Sequence, residues 1–235
     1  MTSVENGSVR HGSEASDPYV LSAQDVDALL AAAPWSRFAV LGDSLAEGLG
    51  EAVPGYQDIP WADRVAAALR RRHPGLEYLN LGVRYLRAAE VRARQLKPAL
   101  DFRPDLVSVV CGGNDMLSRD FSAETVEAEL VGLIGPLREA GADVFVFTIQ
   151  DITAVFPEQL GGGGLRERIQ VFNEQVRSVA ARYGAMVVDM WSHPTSSSRD
   201  VFSSDMLHAS MRGHAVLATA VVTTLAEQLA TAESP

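Results

Sequence analysis

Cysteine is nearly absent: Cys111 stands alone in 235 residues, so no disulfide can close within the chain, which suits a reducing compartment. No uninterrupted apolar run approaches the roughly 18 residues of a membrane span. Basic residues are also scarce, twenty against thirty acidic ones. The resulting formal charge of −10 argues against a general attraction to nucleic acid or an anionic membrane. His, Cys, Asp and Glu form no convincing zinc-ligand spacing, and no phosphate-loop lysine pattern occurs, so neither a metal nor a nucleotide cofactor is implied. The stretch from Met1 to about Pro18 lacks the apolar run of a secretory signal and is rich in Ser, Gly and Glu. It reads as a flexible tail over 1–18, and the expected location is the cytoplasm.

What is present is enough apolar residue, 47% of the chain, to bury one sizeable core, so 19–235 reads as a single domain. Ser22-Ala23-Gln24-Asp25 has the pattern of a capping box and opens a short helix carrying Val26, Leu29 and Leu30. Short apolar runs then alternate with amphipathic stretches. Strands are expected at 38–42, 76–81, 105–111, 144–149 and 185–190, with helices near 60–72, 86–100, 122–140 and 165–183 and a last one marked by Leu217, Val221, Leu225 and Leu229. The run Val144 to Ile149 is apolar at nearly every position, as in a parallel strand covered on both faces. Five strands separated by helices imply a three-layer α/β/α sandwich around a five-stranded parallel sheet. Cys111, inside such a strand, reads as a packing residue.

Chemistry concentrates where these strands end. Gly42-Asp43-Ser44-Leu45 follows the apolar run Phe38 to Leu41, a placement that presents a serine hydroxyl to a cleft with a rigid sheet behind it. Alone it is also an ordinary turn sequence. Three further segments follow in order: Asn80-Leu81-Gly82, Gly112-Gly113-Asn114-Asp115, and Asp205-Met206-Leu207-His208. With these four blocks the chain, from about Phe38 to His214, resembles the SGNH hydrolases, the GDSL-type lipases and acylhydrolases.

The resemblance implies a flavodoxin-like strand order, 2-1-3-4-5, and a serine esterase acting on a small-molecule ester. Acyl transfer needs a nucleophile, a base and donors aimed at the developing oxyanion. Ser44 would attack, His208 would take its proton, and Asp205 would orient the imidazole. The oxyanion hole would draw on the backbone N–H groups of Ser44 and Gly82 and the side-chain amide of Asn114. Acyl transfer to an acceptor other than water uses the same residues, and a catalytically silent ligand-binding module is the alternative of a different class.

Other histidines compete as bases. His193, His214, His73 and His11 all lack an acidic residue three positions earlier, which leaves His208 first. Asp43 and Asp115 read as loop-holding carboxylates. Arg84 and Tyr85 are candidates for substrate binding: Arg84, with Arg87 close by, suits an anionic substrate group or else belongs to a solvated helix face with Arg92, Arg94 and Lys97. The family's second block often has another small residue shortly after its glycine, whereas Val83-Arg84-Tyr85 is bulky. A proline often follows the family's histidine; here Ala209 does. The segment 151–164, ending in Gly161 to Gly164, reads either as a flap over the site or as a simple connection. Oligomeric state is open.

Overall fold

The computed structural model describes residues 12–160 and 162–232. Five parallel strands, β1 Arg37–Gly42, β2 Glu77–Asn80, β3 Leu106–Val110, β4 Asp143–Phe147 and β5 Met186–Val188, form one sheet in the order β2-β1-β3-β4-β5. This is the implied 2-1-3-4-5 order. Ten α-helices accompany the strands among the described residues. They are α1 Ala23–Leu29, α2 Ser44–Glu47, α3 Trp61–Arg72, α4 Ala88–Phe102, α5 Gly113–Leu117, α6 Ala123–Glu139, α7 Ile152–Val155, α8 Pro157–Leu160, α9 Leu165–Tyr183 and α10 Met211–Ala232.

Strand side chains alternate between two cores, because successive Cβ atoms point to opposite faces of a sheet. Phe38, Val40, Leu106, Phe145 and Val188 pack with Trp61, Val65 and Leu69 of α3 and Val221 and Leu225 of α10. Ala39, Leu41, Val107, Val109, Val144 and Val146 pack with Val91 of α4, Leu130 and Leu133 of α6, and Phe172 and Val176 of α9. With both faces covered, the central strands carry almost no polar side chain. This is the three-layer sandwich, and it brings the ends of β1, β2 and β3 to one rim.

Some boundaries differ from the expected ones for local reasons. β5 stops at Val188 instead of Met190 because the Met190 N–H turns back to the Val188 carbonyl, while Asp189 accepts from Thr148 Oγ1 at 2.7 Å and Arg177 Nη2 at 3.0 Å. Residues 12–18, read with the tail, lie against the domain. Both Glu14 oxygens accept from Arg64, at 2.6 and 2.9 Å, and Asp17 accepts from Tyr56 Oη and Arg212 Nε, each at 2.7 Å. Such polar anchoring has no hydrophobic period to announce it. The remainder of the tail, residues 1–11 with His11, lies outside the described residues, as does Gly161. No helix among the described residues is long and apolar enough to cross a membrane.

Ser108, in β3 between Val40 and Phe145, is fully buried, and its hydroxyl has no hydrogen-bond partner. A buried, unpaired hydroxyl costs stability that an apolar replacement recovers. Ser108→Ala is therefore expected to raise the unfolding free energy by about 1 kcal/mol. Urea titration checks this, and an unchanged or lower midpoint at the same slope would count against the unpaired hydroxyl.

Candidate active site

The rim site is assembled from the end of β1. Asp43 caps the single-turn helix α2, its Oδ1 accepting from the Leu45 N–H at 3.1 Å, and this turns Ser44 out of the strand line. Gly42 permits the turn: a Cβ there would stand 2.0 Å from the Val110 carbonyl oxygen. Ser44 is the first residue of α2, and its N–H has no acceptor among the described residues. The first N–H groups of a helix lack intrahelical partners, so this donor faces the cleft unpaired.

His208 arrives from the loop before α10. Its Nε2 lies 3.0 Å from Ser44 Oγ, and its Nδ1 lies 2.5 Å from Asp205 Oδ2. Asp205 also accepts from the backbone N–H groups of Leu207 and His208, both at 3.0 Å, across a turn in which Met206 adopts a positive φ of 63°. Burial pushes the Asp205 carboxyl upward, but the bonds from the His208 imidazole and from the two N–H groups outweigh it and leave the group below its ordinary range. An ionised carboxylate only accepts, so Nδ1 carries the proton and Nε2 is left to accept from the serine hydroxyl.

Glu51 braces this loop. Its carboxylate accepts from the Ser204 N–H at 2.9 Å and from the Ser204 hydroxyl, and its carbonyl accepts from the Met211 N–H at 2.8 Å.

The other histidines are occupied elsewhere. His214 is fully buried, accepts from the Trp61 N–H at 3.2 Å and bonds the Leu49 carbonyl through Nε2. Burial pushes it down to about 4, so it is neutral across the physiological range. His193 accepts from the Thr195 N–H as a helix cap, and His73 bonds the Ala33 carbonyl at 2.7 Å.

The two other expected oxyanion donors stand at the same rim but are partly committed. The Gly82 N–H donates to Asn80 Oδ1 at 2.8 Å, and Asn80 Nδ2 donates to the Ala46 carbonyl at 2.7 Å. Gly82 packs on α2 so closely that a Cβ would lie 2.2 Å from the Glu47 nitrogen. Asn114 Nδ2 donates one hydrogen to the Leu86 carbonyl at 2.9 Å; an amide nitrogen carries two, so one remains.

A cavity of about 160 Å³ opens beside Ser44, Asn114 and His208. Cys111, Met116, Leu130, Ile149, Phe172 and Val176 are among its lining residues, and it reaches between the sheet and helices α6 and α9. Gly82, Arg84 and Tyr85 are not among the residues that line it. Arg84 instead binds Glu47, donating from Nε at 3.0 Å and from Nη2 at 2.5 Å, while Tyr85 is largely exposed at a φ of 70°. The two substrate-binding candidates thus sit apart from the hollow side of the site. Residues 152–160 of the expected flap or connection are mostly helical, in α7 and α8, and Ile152 lines the cavity. Among the described residues no group of three His, Cys, Asp or Glu side chains is placed to hold a metal ion.

The matching family model, described as the GDSL-like lipase/acylhydrolase family, spans residues 40–216, which include all four rim segments. The chain belongs to this family. Solved structures carry the same fold at low identity. An acetylxylan esterase from Geobacillus stearothermophilus is 20% identical with a TM-score of 0.65, covering 81% of this chain and 94% of its own. A lipase/acylhydrolase from Enterococcus faecalis is 20% identical at 0.64, covering 82% and 96%. TesA is 23% identical at 0.62, covering 80% and 97%. No curated protein matches the sequence. Membership makes the chain an SGNH-type hydrolase.

Two residues at this site lie outside the four motif segments. Glu51 acts on a segment far from it in sequence. Gln95 has a local signal: it falls in step with Ala88, Val91 and Ala99, a polar residue on the buried stripe of α4.

Asp43 is almost fully buried directly before Ser44, and burial raises its carboxyl from 3.8 to about 6, against the lowering effects of the Leu45 N–H and the His208 charge. Between these two values the folded state holds a proton that the unfolded chain has released. Stability therefore falls as pH rises from about 4 to about 6, by a total on the order of 3 kcal/mol. Asp43→Asn removes this loss. The stability difference between variant and parent is expected to grow across that window and flatten above it, as read by denaturant unfolding at each pH; a constant difference would contradict the buried carboxyl.

Proposed function

We propose that this SGNH-type hydrolase is a serine esterase that cleaves a carboxylic ester of a small molecule through an acyl-Ser44 intermediate. The observation that carries the proposal is the unbroken chain from Ser44 Oγ through His208 to Asp205. Ser44 Oγ attacks the ester carbonyl carbon while His208 Nε2 takes its proton. Asp205 holds the imidazole tautomer and stabilises the imidazolium. The carbonyl oxygen, now an oxyanion, is met by the unpaired Ser44 N–H and the second Asn114 hydrogen. The Gly82 N–H joins them on exchanging its bond to Asn80. The tetrahedral intermediate collapses as His208 protonates the departing alcohol. Water then attacks the acyl-serine, giving its proton to His208, and the second collapse returns that proton to Ser44 Oγ and releases the acid.

The cavity supports an aliphatic acyl group. Most of its lining is hydrocarbon and sulfur; Ser44, Asn114 and His208 stand at the reacting end, and Asp43, Thr148 and Gln150 are its other polar residues. An enclosed apolar space of about 150 Å³ is known to hold a benzene-sized guest, so this one suits a group of about six carbons. The name of one structural neighbour suggests removal of acetyl groups from a sugar polymer, but the cavity walls favour a longer chain. Acyl transfer to a non-water acceptor would use the same intermediate, and product analysis with added alcohols separates it from hydrolysis.

Two outcomes are expected with p-nitrophenyl esters. Turnover of the butyrate-to-octanoate range exceeds that of the acetate, with each buried methylene adding about 0.8 kcal/mol, about fourfold in kcat/KM. Ser44→Ala lowers turnover by at least about 10⁴-fold and abolishes fluorophosphonate labelling. No serine-dependent turnover of any ester would sink the proposal, and an acetate optimum would sink the acyl assignment alone. Because Arg84 is held by Glu47 away from the cavity, Arg84→Ala should leave the rate ratio between neutral and anionic esters unchanged. A change in that ratio would restore Arg84 as a substrate contact.

A further inference from the structure

Gln95 is buried on α4, far in sequence from the four rim segments, yet both ends of its amide are bound to one peptide-bearing residue. Its Oε1 accepts from the Gly42 N–H at 2.7 Å, and its Nε2 donates to the Gly42 carbonyl at 2.9 Å. Gly42 stands two residues before Ser44. The same Gly42 carbonyl accepts from the Val83 N–H at 3.1 Å, and Val83 follows Gly82.

The ladder between β1 and β2 explains why a side chain is needed there. Val40 pairs with Asn80, and the Leu81 N–H donates to the Val40 carbonyl at 2.8 Å. Continued in parallel register, the Gly42 N–H would donate to the Leu81 carbonyl. It donates to Gln95 instead, so the amide takes the place of a peptide group where β2 leaves β1. That departure brings Gly82 across the backbone of α2. A primary amide offers an acceptor and a donor side by side without carrying a charge at any pH, and both are used here.

We infer that Gln95 is a positioning residue for acyl transfer: by clamping Gly42 it holds the Ser44 N–H and the Gly82 segment in one register. The inference rests on the esterase reading of the site. The side-chain hydrogen bonds of Gln95 go to Gly42 and not to Ser44, and Gln95 is not among the residues that line the cavity, so it acts through the backbone it holds. Displacements of about 1 Å at a reacting centre cost on the order of a hundredfold in rate, and loss of both bonds is the change that permits one.

The test compares Gln95→Met, which keeps the length and removes both bonds, with Gln95→Glu. Rates are expressed per active site titrated by a fluorophosphonate, so that misfolded protein does not enter. For Gln95→Met, kcat is expected to fall by about ten- to a hundredfold with KM nearly unchanged. In Gln95→Glu, a neutral carboxyl reproduces both bonds, accepting through its carbonyl and donating through its hydroxyl, whereas a carboxylate cannot donate. Burial favours the neutral form. The rate of Gln95→Glu relative to the parent is therefore expected to rise as pH falls from about 8 to about 5.5, a rescue that simple destabilisation does not produce. A Gln95→Met kcat per titrated site within about twofold of the parent would overturn the inference, as would a Gln95→Glu rate that tracks Gln95→Met at every pH. If Gln95→Met yields no folded protein, the Gln95→Glu profile decides. Absence of Ser44-dependent turnover in the parent protein would remove the esterase reading itself, a result distinct from either.

Discussion

At the end of β1 the main chain passes so close to β3 that Gly42 has no room for a side chain, and its remaining N–H and carbonyl are bound by Gln95. Everything at the rim follows from that constraint. With Gly42 held on both sides, Asp43 can cap α2 and Ser44 can leave the strand with an unpaired N–H. Gly82 approaches α2 within a distance that forbids a Cβ, and Asn80 ties the two together. The strain of so many close backbone contacts is avoided by glycine and the buried polar groups are satisfied by amides, which is why neutral Asn and Gln recur here.

Electrostatics divides the same rim into two kinds of carboxyl. Asp205 is exposed and receives three hydrogen bonds, so its ionised form is favoured and it can support a positive imidazole. Asp43 and Asp115, more deeply placed, are shifted upward by burial, and each adds to the desolvated negative charge around Cys111, whose thiol is itself driven well up. The cavity beyond them is walled by Met116, Phe172 and Val176, and no Lys or Arg lines it. A negatively charged acyl group would find no partner there, whereas a hydrocarbon group meets the dispersion contacts it needs.

Much of this was legible in the chain. The stripes of α3, α6, α9 and α10 follow from apolar spacing, and the buried strands from uninterrupted runs, because a covered sheet leaves little place for polar side chains. That Ser44 and His208 meet at the rim was to be expected because their motifs fall at strand and helix ends. The site's supports were less legible. Glu47 holding Arg84 and Glu51 bracing the His208 loop are pairings of ordinary polar residues, and nothing in residue type or spacing selects those partners from the many available. The docking of Glu14 and Asp17 was hidden for the same reason, since a few charged contacts hold that segment in a stretch composed like a tail.

The sequence by itself determined the order of the elements, the parallel class of sheet and the residues proposed for acyl chemistry, because these depend on residue type and on spacings within one turn or strand. Tertiary structure alone decided that the hollow side of Ser44 faces α6 and α9 instead of Arg84 and Tyr85. It also decided that Ser44 keeps a free N–H and that Gln95 takes the place of a strand's peptide group beside Gly42. These outcomes depend on which distant segments come within hydrogen-bond and van der Waals range. Such ranges are a few ångströms in space, and no short spacing along the chain encodes them.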